Sequence, residues 1–307
     1  MTECERIIAN GIVSPLFLSS EIRDEYEISE KIKKVWTVEL DLLAELKKIC
    51  DKHQLRFWVG FGTLLGAVRH HGFIPWDDDL DVWMPRKDYD KLLSLDIKLE
   101  KPYFLQTTLN DDDYYSSFAR LRNSNTTGIL VSKNNKCNNG IYVDICPLDG
   151  INENETLQWL RSKYVKIENV AAHSYMYNIN PHPLTRFLHF FLRLPFVPYN
   201  HKEVYKRINK IASNVNWEES DKVGFVVFAP YAHKRNIFCK KDFDITEWLC
   251  FENTKVPVPS GYKNILKILY GDYMKFPPVE KRGIWHSFIF EPDIPYKEYM
   301  KQSHATV

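Results

Sequence analysis

The chain has 307 residues, of which 44% are hydrophobic and 14% aromatic, enough for the core of one large domain or two small ones. Lys and Arg total 41 against 40 for Asp and Glu, so net charge gives no reason to expect nucleic-acid binding. The six cysteines form no C-x-x-C pair, the start of the chain has no apolar run of signal-peptide length, and 18 consecutive apolar residues occur nowhere. These features predict a folded cytoplasmic protein with reduced thiols.

The first strong element is a predicted helix over residues 28–50, ISEKIKKVWTVELDLLAELKKIC. Its apolar residues recur at intervals of three and four, which indicates an amphipathic helix packed on a sheet. The charged residues Lys33, Lys34, Glu39, Asp41 and Lys48 fall mainly between the apolar positions. Residues 1–24 are expected to form an N-terminal tail, and residues 25–300 a single domain with its core in 25–150.

A short buried strand is predicted in LRFWVGFG, residues 55–62, followed by a helix in LLGAVRHHG that Gly72 closes. Gly60 and Gly62 at the end of the strand permit close backbone approach. Thr63 stands where a helix N-cap is expected. Backbone N–H groups at such a helix start favour phosphate, so the Gly62-Thr63 turn is a candidate phosphate site.

An acidic segment follows, GFIPWDDDLDV at 72–82, in which four carboxylates within five residues are framed by apolar side chains. If residues 78–82 are extended, Asp79 and Asp81 share a face, with Cα atoms roughly 6.5 to 7 Å apart. Their repulsion is relieved by protonation or by a hard cation, and oxygen ligands without cysteine favour Mg²⁺ or Mn²⁺ over Zn²⁺. The alternative is a solvated Asp-rich turn. NDDDYY at 110–115 lacks the apolar frame and is predicted to be a surface loop.

Beyond the acidic segment we predict a helix in PRKDYDKLLSL, strands in PYFLQTTL and YSSFARLRNSNTTGILV, and an apolar strand in NGIYVDICPLDG, residues 139–150. The last strand carries Asp144 in its interior. Burying a lone carboxylate costs several kcal/mol, so a cation or an arginine should stand opposite it. Asp144 is therefore a candidate third metal ligand, and pairing with a core arginine is the alternative.

The second half of the chain is predicted to be largely helical over 156–215 and to return to shorter elements over 256–290. PLTRFLHFFLRLPFVPY, residues 183–199, is apolar and aromatic, with Arg186 and Arg193 seven residues apart, as on a helix at a membrane surface. A buried helix is the alternative. Peripheral contact with the inner face of a membrane would suit a lipid-linked acceptor.

Several stretches together resemble the LicD family of the nucleotidyltransferase-fold superfamily, which includes the fukutin-related transferases. They are VELDLL, FWVGFGTLLGAVRHHGFIPWDDDLDVWMPRKDYDKL, FARLRNSNTTG, YVDICPLDG and ILYGDYMKFPPVEKRGIWH, from about Glu27 to His286. The resemblance implies an α/β (α+β) domain with a mixed sheet, packed helices and a largely helical C-terminal half. It also implies transfer of a phosphorylated alcohol, phosphocholine in the best-known case, from a CDP-linked donor to a glycan hydroxyl, with Mg²⁺ or Mn²⁺ as cofactor.

Carried onto this chain, the family pattern places its metal-binding D-x-D at Asp79 and Asp81. Its phosphate turn falls on Gly62 and Thr63, where Gly-Ser is common in the superfamily. Asp144 matches the third acidic position and is a candidate base for the acceptor hydroxyl. These roles are what the resemblance implies.

Cationic groups provide further candidates for the donor phosphates. Arg69 and His70 follow the short helix, where a solvated helix end is the alternative. Arg120 and Arg122 lie two apart on a strand and so share a face, as a pyrophosphate clamp or as a surface pair on an edge strand. His286 in KRGIWH is a candidate general base or phosphate ligand, with a structural histidine as the alternative.

Other readings remain open at this point. They are a nucleotidyltransferase that releases pyrophosphate, a D-x-D glycosyltransferase, and a non-catalytic nucleotide- or sugar-binding relative. Selectivity for choline would require an aromatic cage around a quaternary ammonium. The candidates for that cage are Trp58, Trp76, Trp83, Tyr114 and Tyr115.

Overall fold

A computed structural model of the chain describes residues 1–95, 97–130, 136–176, 200–227, 236–283 and 288–304. The helices in these ranges are α1 (Glu3–Ala9), α2 (Glu30–His53), α3 (Phe61–Arg69), α4 (Arg86–Ser94), α5 (Glu155–Met176), α6 (His201–Ala212), α7 (Tyr262–Tyr270) and α8 (Tyr296–His304). The strands are β1 (Glu21–Arg23), β2 (Tyr26–Ile28), β3 (Trp58–Val59), β4 (Asp81–Pro85), β5 (Tyr103–Gln106), β6 (Ala119–Asn123), β7 (Thr127–Leu130), β8 (Ile141–Gly150), β9 (Lys222–Gly224), β10 (Ile237–Cys239), β11 (Thr246–Phe251), β12 (Thr254–Pro259) and β13 (Phe288–Glu291).

The central sheet is built around β8, whose ten residues are all buried. On one side β4 runs parallel to it, and on the other β6 runs antiparallel. β3 pairs with β4, β5 pairs with β6, and β9 and β10 continue from the C-terminal end of β8. Helices pack on this mixed sheet, so the predicted α+β class is confirmed. After Gly150 the described residues combine helices α5 to α8 with strands β9 to β13.

Helix α2 packs against β6 and β8 in the middle of the core. Its start is capped by Ser29, whose hydroxyl accepts the Ile32 N–H at 3.3 Å. Of the charged residues between its apolar positions, Lys33, Glu39 and Asp41 are buried, at 3%, 1% and 3% exposed, whereas Lys48 is exposed. The helix is covered on both sides, since its apolar residues between 35 and 43 surround most of its circumference.

The residues before 25, expected as a tail, form a helix and pack on the core. A capping box between Thr2 and Glu5 starts α1, and Cys4 and Ile7 are buried against the main core. Arg6 joins α1 to α2 through Asp41, with Nη2 and Oδ2 2.7 Å apart. The predicted helical region after 155 is present as α5 and α6, and residues 183–199 lie outside the described residues. None of the described helices is long and apolar enough to cross a membrane.

The junction between β3 and α3 depends on one glycine. Trp58 pairs with Trp83 across β3 and β4, and the Gly60 N–H donates to the Asp81 carbonyl at 2.9 Å. A Cβ at Gly60 would lie 2.0 Å from Nε1 of Trp83. The buried Trp83 indole therefore rests directly on the Gly60 backbone and fixes the start of α3 relative to the start of β4.

We expect Gly60→Ala to lower the free energy of unfolding by about 1–3 kcal/mol, because the new methyl group overpacks the Trp83 site. The Gly60 φ of −124° suits any residue, so the loss measures the clash and not backbone strain. Urea denaturation followed by circular dichroism gives the value. Gly283→Ala is the matched control, since a Cβ there meets nothing within 4 Å, and it should change stability by less than about 0.5 kcal/mol. Equal stabilities of the two variants would contradict this packing role.

Candidate functional site

The acidic segment is a loop followed by a strand. β4 begins at Asp81, so the expectation that residues 78–82 are all extended is wrong for its first part. A turn at Pro75 and Trp76, closed by the Asp77 N–H donating to the Ile74 carbonyl at 2.9 Å, bends the chain before the strand. We call Asp77, Asp78 and Asp79 the acid loop. Each offers a carboxylate oxygen that lies within 4.8 Å of the others.

A row of charged side chains crosses three strands at the end of the acid loop. Asp81 on β4 is opposite Asp144 on β8, and Arg120 on β6 is opposite Asp144 on the other side. Arg120 donates two hydrogen bonds to the Asp144 carboxylate, from Nε to Oδ1 at 2.5 Å and from Nη2 to Oδ2 at 3.3 Å. The prediction that an arginine or a cation stands opposite Asp144 is thus confirmed for arginine.

Burial and charge repulsion act together on Asp77 and Asp81. Burial raises the pKa of Asp77, and the neighbouring Asp79 and Asp78 raise it further. Burial likewise raises the pKa of Asp81, followed by the charges of Asp79 and Asp144. Carboxylate oxygens that hold one another's pKa high form a donor set that fits a hard divalent cation, which removes the repulsion without a proton.

The predicted phosphate turn contacts these acids directly. Gly60, and not Thr63, is the N-cap of α3, so the predicted capping role of Thr63 is wrong. The Thr63 hydroxyl instead accepts the Asp81 backbone N–H at 2.9 Å. A Cβ at Gly62 would lie 2.5 Å from Oδ2 of Asp77, so the glycine makes room for this carboxylate at the start of the helix. The positive end of α3 favours a negative group at that place.

Arg69 and His70 are fixed at the other end of α3. Arg69 donates from Nη1 to the Tyr273 carbonyl and from Nε to Nε2 of His70, both at 2.9 Å. Nδ1 of His70 must then carry the proton that Asp24 accepts, at 2.6 Å. The His70 side chain is fully buried and stacks on Phe276. These contacts anchor α3 to the segment that follows α7.

Arg122 shares a face with Arg120, as predicted, and both guanidinium groups lie over the Tyr142 ring, at 4.8 and 3.8 Å from its centroid. Arg122 is 2% exposed. It donates to Oε1 of Gln106 and to the Gly140 carbonyl, both at 2.5 Å. The alternative of a surface pair on an edge strand is wrong, since β6 lies between β5 and β8. The contacts of Arg122 hold the sheet together.

The three tryptophans among the aromatic cage candidates are buried. Trp58 and Trp83 are 1% and 0% exposed and belong to the main core. Trp76 is also buried, and the Arg282 guanidinium already lies 5.1 Å from its ring centroid. The NDDDYY segment is an irregular loop, as predicted. His286 lies outside the described residues.

Glu39 is a buried acid that the sequence analysis did not single out. It projects from α2, is 1% exposed, and has the acid-loop residues and Asp81 as its electrostatic neighbours. Burial raises its pKa well above the ordinary range, and Asp79 and Asp78 raise it further. A signal was present in VELDLL, because a carboxylate flanked by apolar residues on both sides belongs to a helix that is buried all round.

The acid loop, the strand that begins at Asp81 and the first turn of α3, with Gly62 and Thr63, meet in this site. Residues 54–195 match the family model for the LicD/FKTN/FKRP nucleotidyltransferase domain. This match confirms the resemblance to the LicD family seen in the sequence.

Three curated proteins illustrate the similarity. The chain is 26% identical over 257 residues to the lipopolysaccharide cholinephosphotransferase LicD of Haemophilus influenzae, which covers 80% of this chain and 92% of that protein. It is 41% identical over 71 residues to an uncharacterized protein of Rickettsia prowazekii, covering 23% of this chain and 26% of that protein. A 63-residue stretch, 20% of this chain, is 43% identical to an uncharacterized protein of Rickettsia typhi and covers 19% of it.

We expect Thr63→Val to lower the free energy of unfolding by about 1–3 kcal/mol, because the Asp81 N–H loses its acceptor inside the protein. Valine keeps the shape of threonine, so the packing of α3 is unchanged. Chemical denaturation measures the loss. Thr63→Ser keeps the hydroxyl and is the matched control, and it should retain more stability than the valine variant. The reverse order would show that the methyl group matters and the hydrogen bond does not.

His70 should make stability depend on pH. Burial and the charge of Arg69 lower the pKa of His70. The neutral imidazole then stabilises the fold fully above the unfolded pKa of about 6.5, and this contribution is lost as pH falls through the lower folded value. His70→Asn keeps an N–H toward Asp24 without titrating.

The asparagine variant should therefore lose less stability than wild type between about pH 7 and about pH 5, measured by urea midpoints. His71→Asn, at the exposed next position, is the matched control and should show the wild-type difference. A wild-type pH dependence in His70→Asn would exclude His70 as its source.

Proposed function

We propose that the protein is a divalent-metal-dependent phosphotransferase that moves phosphocholine from CDP-choline to a sugar hydroxyl of a cell-surface glycan. A lipopolysaccharide or teichoic acid precursor, attached to a lipid carrier, is the proposed acceptor. The observation that carries this proposal is the convergence of Asp77, Asp79, Asp81 and Asp144 at the start of α3. Similarity to a cholinephosphotransferase along 80% of the chain supports the choice of transferred group.

The proposed reaction changes two bonds to phosphorus. The acceptor hydroxyl oxygen bonds to the phosphorus of the phosphocholine group, and the bond from that phosphorus to the oxygen of CMP breaks. The hydroxyl proton passes to a carboxylate, and CMP leaves as the anion. A bound Mg²⁺ or Mn²⁺ would supply Lewis-acid stabilisation of the phosphate oxygens. Asp79 and Asp81 are the residues proposed to hold it, with Asp144 beside them.

The chain's own groups orient the reactants. The first-turn N–H groups of α3 point out of the helix start and are proposed to receive a donor phosphate. Thr63 keeps the Asp81 backbone in place through its 2.9 Å hydrogen bond. Asp144 is the proposed base, and Arg120 holds its carboxylate in one orientation. His286 remains a proposed alternative base.

We expect Asp79→Asn and Asp81→Asn each to lower CMP release from CDP-choline by about 100-fold or more, since each removes a ligand of the proposed cation. Turnover is followed with Mg²⁺ and a glycan acceptor. In the absence of metal, Asp81→Asn should melt at the same or a higher temperature than wild type, because the substitution removes the repulsion between the side chains at 79 and 81. Asp112→Asn, at an exposed position of the NDDDYY loop, is the matched control and should keep wild-type turnover.

A panel of CDP-choline, CDP-ribitol, CDP-glycerol and CTP identifies the reaction class. CMP release from one CDP-linked donor supports the phosphotransferase, and pyrophosphate release from CTP would identify a nucleotidyltransferase. Binding of every donor without turnover would identify a non-catalytic relative. Full activity in Asp79→Asn or Asp81→Asn would remove the metal from the proposal.

A further inference from the structure

The turn between strands β11 and β12 contains a glutamate in an unfavourable backbone conformation. Glu252 is the first of the two residues that join these strands, and its φ is 51°. This left-handed region favours glycine or asparagine, because a Cβ crowds the backbone there. Strain of this kind persists only where the surrounding structure holds it, and it is often found at functional sites. The contacts of the Glu252 side chain therefore indicate what the turn does.

The Glu252 carboxylate is buried and holds the chain that leads from α3 to the acid loop. Its side chain is 7% exposed, and Oε1 accepts the Phe73 N–H at 2.9 Å. The Glu252 backbone N–H donates to the His71 carbonyl at 2.8 Å, and His71 also has a left-handed φ, of 53°. A Cβ at Gly72 would lie 2.1 Å from Oε1, so the glycine makes room for the carboxylate. Two strained residues are thus joined by one hydrogen bond at the start of the acidic segment.

Arg23 fixes the Glu252 carboxylate from the other side. Its Nη1 and Nη2 atoms donate to Oε1 and Oε2, at 2.6 and 3.1 Å, a bidentate geometry that sets the plane of the carboxylate. The Arg23 guanidinium lies 5.6 Å from the Trp36 ring centroid. Trp36 stacks on the Phe73 ring at 4.6 Å and donates to the Asp77 carbonyl at 3.1 Å. We call the contacts of Glu252 and Arg23 with residues 71–73 the hairpin clamp.

We propose that Glu252 and Arg23 are positioning residues that set where the acid loop lies. Only residues 74–76 separate Phe73 from the acid loop, and the Asp77 N–H closes them into a turn by donating to the Ile74 carbonyl at 2.9 Å. A connection this short has little slack, so a shift at Phe73 is passed on to the carboxylates. The proposal rests on the proposed function for the role of those carboxylates, and it adds two residues that the proposed reaction does not use.

The hairpin clamp opposes the repulsion inside the acid loop. The carboxylates of Asp77, Asp78 and Asp79 repel one another, and they would move apart if the loop were attached only through β4. Because the chain is also held at Phe73, the carboxylates keep the spacing that a shared cation needs. The clamp thus acts on the cation through the backbone, without contacting it.

Two glutamates in similar turns provide a matched test. Glu252→Gly removes the carboxylate and supplies the residue type that suits the turn, while Arg23 keeps Glu21 as a partner at 2.6 Å. Glu25 has a φ of 61° in the turn between β1 and β2, and its side chain is exposed, so Glu25→Gly is the control. We expect Glu252→Gly to raise the dissociation constant for Mn²⁺ by about 10-fold or more, and Glu25→Gly to leave it unchanged. Calorimetric titration measures both constants.

Hydrogen exchange without metal gives a readout that does not depend on the cation. Amides in residues 73–81 should exchange about 10-fold or more faster in Glu252→Gly than in wild type, whereas amides of β8 should not change. A general loss of stability would instead speed exchange in both. Glu252→Gln retains Oε1, which accepts from Phe73 and Arg23, so its exchange and its Mn²⁺ affinity should lie between those of the glycine variant and wild type. This variant supplies the test if the glycine variant does not fold.

The outcomes distinguish the hairpin clamp from the proposed function. Unchanged exchange over residues 73–81 in Glu252→Gly overturns the clamp, as does faster exchange throughout the protein or an unchanged affinity for Mn²⁺. Faster exchange confined to 73–81, together with weaker Mn²⁺ binding, supports it. Wild-type protein that binds no Mn²⁺, or that releases no CMP from any CDP-linked donor, overturns the proposed function, and exchange over 73–81 then decides the clamp by itself.

Discussion

Repulsion among carboxylates that cannot move apart is the constraint on which this structure depends. The backbone of Asp81 is held by Thr63 and by the ladder to β8, and the backbone of Asp77 is held by Trp36. In water these side chains would separate, but here core elements anchor each of them. Burial raises the pKa values of Asp77 and Asp81, and the charges of the neighbouring acids raise them further. The apolar residues that frame the acids therefore have a chemical role, because they make the scaffold too rigid to relax.

The elements that hold the site could largely be predicted from the sequence. Helix α2, strand β8 and the helix α4 are each visible in residue spacing, because their apolar patterns repeat within a few residues. The arginine opposite Asp144 followed from one energetic argument, that a buried carboxylate needs a partner. Arg120 was identified separately by its spacing from Arg122. The register between β6 and β8, which places Arg120 opposite Asp144, could be seen only in the structure.

The errors have a common physical origin in contacts between distant segments. The spacing within one helix could not show that Glu39 is buried, because α2 is covered by α1 on one side and by the sheet on another. Thr63 has the residue type of an N-cap, but its hydroxyl is engaged by β4, eighteen residues later. The strand was predicted to begin too early, because the turn at Pro75 and Trp76 displaces the acid loop from the sheet.

Under the proposed function, a fixed arginine and an exchangeable cation serve neighbouring acids in different ways. Arg120 neutralises Asp144 through two contacts to its carboxylate. A cation that enters with the phosphates of the proposed donor would relieve the repulsion between Asp81 and its neighbours only when that donor is bound. The free energy released would add to the affinity for the cation and the donor together. On this proposal, confinement of the acids lowers the stability of the empty site and raises the selectivity for a metal-bound nucleotide over either component alone.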